Sequence, residues 1–113
     1  MASGDVNFQS IDISGGTITL TGSPTGSGVY AVGCEADANG DEITAIAGGT
    51  GYAMITLYPA TVGEYFVLYD NGTSILLKEQ LGFEPQSVHD FIDLRGNSNG
   101  TVWREHNRGR FPV

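Results

Sequence analysis

The stretch that decides the fold runs from residue 41 to residue 69 and reads DEITAIAGGTGYAMITLYPATVGEYFVLY. It holds three apolar runs, separated by the glycine-rich break at 48–51 and by a turn that begins at Pro59. In the first run, Ile43, Ala45 and Ala47 alternate with positions 42, 44 and 46, which is typical of a strand with one face on a core. The runs at 52–58 and 65–69 are rich in residue types that favour strands. This stretch therefore predicts three strands.

The rest of the chain repeats short apolar runs between turn residues. The sequences TITLT at 17–21, VYAVGC at 29–34, ILLK at 75–78 and TVWRE at 101–105 predict further strands, and GNSNG at 96–100 predicts a hairpin loop. No window has helical spacing over three turns. About eight or nine short strands predict an all-β fold, an antiparallel β-sandwich or a jelly-roll-like barrel. The residues predicted to be mainly buried are Ile18, Leu20, Ile55, Leu57, Phe66, Leu68 and Trp103.

The length of 113 residues suits one domain with one packed core. Residues 1–13 begin polar and have irregular apolar spacing, so we predict an extended N-terminal arm there. The β-sandwich domain is predicted to span residues 14–106. Residues 107–113 are predicted to form a basic C-terminal tail.

The charge is strongly acidic and unevenly distributed. The net charge is −8 and the isoelectric point is about 4.3, which argues against binding to nucleic acid. Residues 1–94 hold twelve acidic residues and one lysine, a sum of −11, whereas residues 95–113 hold four arginines and one glutamate, a sum of +3. The C-terminal end is thus the only cationic part of the chain.

The single cysteine, Cys34, excludes an internal disulfide and an all-cysteine metal site. Its position in an apolar run predicts a small buried side chain. No apolar run reaches the roughly 18 residues of a membrane span, so no membrane insertion is predicted. The N-terminus lacks the basic and apolar regions of a signal peptide, so we expect synthesis in a cytoplasm without general secretion.

The sequence around Asp37, Asn39 and Asp41 has the beginning of a calcium loop. The sixth position of that loop would be Glu42 where glycine is needed, and the twelfth would be Gly48 where a bidentate glutamate is needed. A hairpin turn explains these residues better than an ion site. The alternative, that they hold an ion, stays open at this point.

A second group of titratable residues is His89 with Asp90 and Asp93. On a strand, His89 and Asp90 point to opposite faces, and His89 lies about 13 Å from Asp93, so they do not converge. The chain also lacks a nucleophile motif and a phosphate-binding loop that opens a helix. We therefore predict no catalytic residues, no enzyme activity, no metal and no cofactor.

Four segments together resemble a β-sandwich module of tailed-bacteriophage virion surface proteins, of the tail-fibre, head-fibre and decoration types. The segments are SGGTITLTGS at 14–23, DEITAIAGGTGYAMITLYPA at 41–60, YDNGTSILL at 69–77 and HDFIDLRGNSNGTVWRE at 89–105. Each is a strand with a turn, and their order and spacing are what make the resemblance specific. The resemblance spans most of residues 14–108.

The resemblance implies a bacteriophage virion structural protein. The function expected first is a capsid decoration, or cement, protein that binds the outside of the shell as a homotrimer, with the major capsid protein as partner. It would lie on the virion surface after assembly in the host cytoplasm. The alternative is a tail-fibre or spike subunit that binds a host-surface glycan.

Two groups of residues are candidates for contact with the shell. In the arm, Val6 and Phe8 are apolar and could be buried against a neighbouring subunit or the shell. In the cationic end, Arg104, Arg108 and Arg110 could pair with carboxylates of a partner. The arginines could equally neutralise acidic residues of their own or a sister subunit, and both alternatives stay open.

The glycan-binding alternative depends on aromatic side chains. Tyr52, Tyr58 and Trp103 are the candidates, because an aromatic ring offers an apolar face with a polar edge. The competing interpretation is that these three side chains pack in the core or between subunits.

Overall fold

The computed structural model describes residues 8–22 and 25–110, apart from the side chains of Phe8 and Asp37. These residues form ten strands and two 3₁₀ turns, so the predicted all-β class is confirmed. The strands are β1 (Phe8–Asp12), β2 (Thr17–Thr19), β3 (Gly28–Gly33), β4 (Glu42–Ile43), β5 (Ala45–Ala47), β6 (Met54–Pro59), β7 (Val67–Leu68), β8 (Ile75–Leu76), β9 (Asp90–Gly96) and β10 (Trp103–Arg110). The 3₁₀ turns are Glu35–Asp37 and Lys78–Gln80.

Most of the strands pair in parallel. One sheet has six strands in the order β1-β3-β6-β9-β10-β8, and two small sheets pair β2 with β5 and β4 with β7. Among the described residues, five of the seven strand pairs are parallel, and the antiparallel ones are β6 with β9 and β9 with β10. The predicted antiparallel sandwich or jelly-roll-like barrel is therefore wrong.

The parallel pairs join positions that lie one coil of chain apart. Phe8 pairs with Val29, 21 residues further on, and Thr17 pairs with Ala45, 28 residues further on. Parallel strands run in the same direction, so the chain between them must return to the end at which the first strand began. Here β2 lies between β1 and β3 in the chain and belongs to another sheet. The described strands therefore stack in a β-solenoid-like arrangement.

Stacking aligns apolar side chains of successive coils in the core. Buried pairs at directly opposite positions include Ile11 with Val32, Tyr30 with Leu57, Ile18 with Ile46, Ile43 with Leu68 and Ile75 with Trp103. Each fully buried side chain of this size stabilises the fold by about 1.5–3 kcal/mol. All seven residues predicted to be mainly buried belong to this core, and so does Cys34, which confirms those predictions.

The alternation predicted over residues 42–47 changes phase in the structure. Strand β4 ends at Ile43 and β5 begins at Ala45, so Thr44 lies at a corner, where it is exposed. As a result Ile46 is buried and Ala47 is exposed, the reverse of the prediction. A corner between two short strands resets which side chains face the core, and a simple period of two does not reveal it.

The loop at Gly48 and Gly49 lets neighbouring coils approach closely. Gly48 has a φ of +87°, and a Cβ there would lie 2.6 Å from the carbonyl oxygen of Leu20. A Cβ on Gly49 would lie 2.5 Å from Cζ2 of Trp103, whose ring is buried. The indole Nε1 of Trp103 is a buried donor with no hydrogen-bond partner in the described chain, at a cost of about 1–3 kcal/mol.

Two strands of the six-stranded sheet include residues outside 14–106, the span predicted for the domain. Strand β1 lies within the predicted arm and pairs along its whole length with β3. Strand β10 continues to Arg110, into the predicted basic tail. Val6, residues 111–113 and the side chain of Phe8 lie outside the described part of the chain. None of the described residues forms a helix long and apolar enough to cross a membrane.

Candidate functional site: the arginines of strand β10

Strand β10 contains a β-bulge that changes which side chains share a face. It pairs antiparallel with β9, and the register shifts between Glu105 and Asn107, so His106 is the extra residue. Without a bulge, Arg104 and Arg108 would lie on the same face of the sheet, because they are four residues apart. One extra residue reverses the alternation beyond it, so the two arginines lie on opposite faces.

The partners across the ladder confirm the two facings. Arg104 is directly opposite Arg95 of β9, and both side chains are exposed on the outer face. Arg108 is directly opposite Ile92, which is fully buried, so the side chain of Arg108 extends from the inner face of the sheet. The cationic end predicted from the sequence is thus divided between two environments.

Arg108 is bound within its own chain. Its Nε and Nη2 atoms each donate to a carboxylate oxygen of Glu105, both at 2.8 Å, in a bidentate pair. Nη1 donates to the carbonyl oxygen of Gly82 at 2.9 Å, and Nη2 also donates to that of Leu81 at 2.8 Å. The guanidinium carbon lies 5.6 Å from the ring centre of Phe83, within the range of a cation–π contact. For Arg108 the structure favours the intrachain alternative.

Glu105 connects β10 to the 3₁₀ turn Lys78–Gln80. Its side chain is only 2 % exposed, and it also accepts a hydrogen bond from the backbone N–H of Lys78 at 2.9 Å. Burial opposes ionisation, but the hydrogen bonds from Arg108 and Lys78 and their positive charges outweigh it, so the pKa of Glu105 lies below its usual value. The hydrogen bond to Glu105 in turn raises the pKa of Arg108.

Arg110 is also paired within the chain, but at the surface. Its Nε lies 2.9 Å from Oδ1 of Asp90, with Arg110 58 % exposed and Asp90 15 % exposed. Asp90 also accepts the backbone N–H of Gln86 at 2.7 Å. Partial burial acts to raise the pKa of Asp90, but the hydrogen bonds from Arg110 and Gln86 lower it below its usual value. For Arg110, too, the intrachain alternative fits the structure.

Arg95 and Arg104 form a cationic row with Met54 on the outer face. Met54 of β6 is opposite Arg95, and Arg95 is opposite Arg104. Nη2 of Arg95 donates to the Sδ atom of Met54 at 3.5 Å, and Met54 is 48 % exposed. Within the described residues, neither arginine has a carboxylate partner. Among the described residues, therefore, no carboxylate neutralises these two guanidinium groups.

Tyr52 lies beside this row and is held by the β9–β10 hairpin loop. Its backbone N–H donates to the carbonyl oxygen of Asn97 at 3.2 Å, and that of Gly51 donates to the carbonyl oxygen of Ser98 at 2.8 Å. The side chain of Asn97 fixes the loop by accepting the backbone N–H of Thr101 at 2.8 Å. Tyr52 has a left-handed φ of +62°, which is strained for a residue with a side chain, and it is 64 % exposed.

We call Tyr52, Met54, Arg95 and Arg104 the arginine–tyrosine surface. Beside it lies a cleft of about 310 Å³. The cleft is lined by Tyr52, Arg95, Gly96, Asn97, Val102, Arg104, Glu105 and His106. Arg95 was not among the residues predicted from the sequence. The hairpin loop predicted at 96–100 would pair Arg95 with Thr101, whereas the observed register, in which Gly96 pairs with Trp103, brings Arg95 opposite Arg104.

The three aromatic candidates for glycan binding do not come together. Tyr52 is exposed, but Trp103 is buried in the core at 1 % exposure. Tyr58 is half-buried and borders a separate groove of about 590 Å³ with Val88 and His89. For Trp103 the packing interpretation is therefore the one that the structure supports.

In the possible calcium loop, one side-chain oxygen of Asn39 and one of Asp41 accept hydrogen bonds within the chain. Oδ1 of Asn39 accepts the backbone N–H of Tyr65 at 3.0 Å, and Oδ2 of Asp41 accepts that of Glu35 at 2.8 Å. The side chain of Asp37 lies outside the described part of the chain. No group of three or more histidine, cysteine, aspartate or glutamate residues that could hold a metal is found among the described residues.

The arginine–tyrosine surface has the chemistry of a binding surface. Guanidinium groups stay protonated and offer planar forks of N–H donors that match carboxylates. The tyrosine ring and the methionine thioether add apolar area beside these charges.

In comparisons with known proteins, no protein-family model, no curated protein and no solved structure matches the chain.

Proposed function

We propose that this chain is a bacteriophage virion structural protein, a capsid decoration protein that acts by binding the outside of the shell. Its partners are the major capsid protein and other copies of itself. The proposal rests on the resemblance of four sequence segments to modules of virion surface proteins and on one structural observation. That observation is the arginine–tyrosine surface, whose two exposed arginines have no acidic partner among the described residues.

The composition of this surface supports protein docking. Tyrosine, methionine and arginine are enriched in protein–protein interfaces, and tyrosine and arginine dominate binding energy where they are buried there. Met54 and Tyr52 expose 48 % and 64 % of their surface, so docking would remove a substantial apolar area from water. The two arginines would give the contact its orientation.

The proposed homotrimer would offset the small size of this surface. Four side chains form only a small part of the 20–30 residues on each side of a standard stable interface, about 800 Å² per partner. Three copies around a symmetry axis would present the same surface three times. Linked binding events raise overall affinity by about 10²–10⁴ without any new kind of contact. The proposed trimer therefore compensates for a weak single contact.

Copy number on purified virions tests the proposed function. The protein would be quantified by gel densitometry against the major capsid protein, and a decoration protein is expected in hundreds of copies per particle. A few tens of copies or fewer would instead indicate the fibre or spike alternative. Absence of the chain from intact virions would overturn both.

The fibre or spike alternative retains one supporting observation. The exposed ring of Tyr52 beside a cleft could stack on a sugar. It loses the support of a continuous aromatic face, because Trp103 is buried and Tyr58 borders another groove. Host-glycan binding is therefore the second candidate.

A further inference from the structure

We infer that the arginine–tyrosine surface recognises an acidic segment of a partner protein, in which neighbouring carboxylates pair with Arg95 and Arg104. This inference rests on the proposed function, because it names the chemistry that the partner presents. The register of β9 and β10 places the two arginines directly opposite each other. Side chains so placed have Cβ atoms about 4.5–5.5 Å apart, so two guanidinium groups can reach adjacent carboxylates.

The two arginines lack a counter-charge within the described chain. Like charges directly opposite each other destabilise an antiparallel pair. Arg108 and Arg110 on the same strand each have a carboxylate at 2.8–2.9 Å, whereas Arg95 and Arg104 have none among the described residues. A carboxylate from another molecule would remove this repulsion and accept bidentate hydrogen bonds. An anion that accepts bidentate hydrogen bonds, such as a carboxylate, therefore fits these two guanidinium groups.

The neighbours of the arginines indicate a polypeptide. Met54 lies next to Arg95 in the row, and Tyr52 borders the same cleft as both arginines. The loop that follows β9 holds Tyr52 in its strained conformation, and strained residues cluster at functional sites. A ligand that covers this surface needs apolar side chains next to its acidic ones, which a protein segment provides.

The charge of the whole chain argues against a long acidic polysaccharide. The net charge is −8, and residues 1–94 alone sum to −11. A polyanion that extends beyond the two arginines would meet this negative charge, which salt screens only beyond about 8 Å at physiological ionic strength. A folded partner can present a local acidic segment without that repulsion.

The test measures, by fluorescence anisotropy, the binding of the full chain to a labelled synthetic peptide of repeating Gly-Glu-Leu units. The same peptide with glutamine in place of glutamate is the ligand control, and a labelled oligogalacturonate represents an acidic glycan. We expect the glutamate peptide to bind at least about tenfold more tightly than the glutamine peptide, because charged hydrogen bonds are lost in the latter.

Two double variants complete the design. Arg95→Ser with Arg104→Ser should weaken binding of the glutamate peptide at least about tenfold. Lys78→Ser with Arg110→Ser removes an equal number of positive charges outside this surface and should leave the affinity unchanged. Replacing Arg95 and Arg104 by lysine should restore only part of the affinity, because lysine keeps the charge but lacks the planar fork.

Three results would overturn the inference: equal binding of the glutamate and glutamine peptides, parental affinity in the Arg95→Ser/Arg104→Ser variant, or preference for the oligogalacturonate over the peptide. The last result would identify the ligand as a glycan. Failure of the proposed function gives a different result, since a chain that is absent from virions could still bind the acidic peptide through this surface.

Discussion

Arg104 and Arg108 lie four residues apart on the same strand and have opposite surroundings. Arg108 faces the interior side of the sheet, where Glu105 and two backbone carbonyls bind its guanidinium group. Arg104 faces outwards, and its neighbour across the ladder is a second arginine, Arg95. Arg108 holds the C-terminal strand to the segment around residue 82, whereas Arg104 and Arg95 are two like charges side by side.

The comparison shows that the role of an arginine depends on the face of the sheet from which its side chain extends rather than on its position in a basic segment. The bulge at His106 creates this difference by adding one residue between the two arginines. We expect substitutions on the inner side to change the free energy of unfolding, and substitutions on the outer side to change binding. Four experiments test that division, from the largest expected effect to the smallest.

The largest effect is expected for Arg108→Ala. It removes the bidentate partner of Glu105, whose side chain is 2 % exposed, and so leaves a buried charge without its counter-ion. Breaking such a pair costs about 3 kcal/mol. Denaturant unfolding measures it, with Arg104→Ala as the matched control, for which no loss of stability is expected because the variant removes one of two like charges. Equal losses in both variants would contradict the division.

Acid should act on the same pair. The pKa of Glu105 is lowered in the folded protein, so its contribution to stability is complete above the unfolded-state value of about 4.3. That contribution is lost as the pH falls through the lower folded-state value. We expect the denaturant concentration at the unfolding midpoint of the parent to decrease as the pH is lowered below about 4. Asp90 contributes in the same direction, because its pKa is also lowered.

Glu105→Gln is the matched variant for the acid experiment. It should be less stable than the parent at pH 7, and its midpoint should fall less steeply between about pH 4 and pH 2. Arg104→Ala should keep the slope of the parent. A Glu105→Gln profile that runs parallel to that of the parent would show that Glu105 is not the group that titrates.

Deletion of His106 should have a smaller effect than Arg108→Ala. The deletion removes the extra residue of the bulge and leaves a regular ladder, in which Glu105 and Arg108 still share the inner face. It also removes the carbonyl that accepts Nζ of Lys78 at 2.8 Å. Denaturant unfolding should show a loss below that of Arg108→Ala. A larger loss would mean that the bulge itself, and not the facing of Arg108, determines stability.

The smallest effect has the opposite sign. Arg104→Ser removes one of two like charges at directly opposite positions, so it should raise the free energy of unfolding by about 0.2–1 kcal/mol. The gain should shrink at high salt, because these side chains are exposed and screened. A loss of stability would show that Arg104 has a favourable partner in the folded chain and is not available for docking.

The predictions from sequence succeeded where only local properties matter. Alternation identified Ile18, Leu57 and Trp103 as buried, because a strand places every second side chain on one face in any sheet. It failed at 42–47, because Thr44 occupies a corner that restarts the alternation. It also could not place Tyr52 beside the arginines, because that contact depends on backbone hydrogen bonds between the turn at residue 52 and the loop at residue 97.

The sequence by itself determined the all-β class, the buried side chains and the uneven charge, since each depends on residue type and near neighbours. Only the tertiary structure decided that the strands stack mainly in parallel, because alternation and glycine turns are the same in parallel and antiparallel sheets. It also decided that Arg108 faces inwards while Arg104 stays outside. One bulged residue reverses the alternation, and the pairing with β9 that makes His106 the extra residue is a property of two strands together.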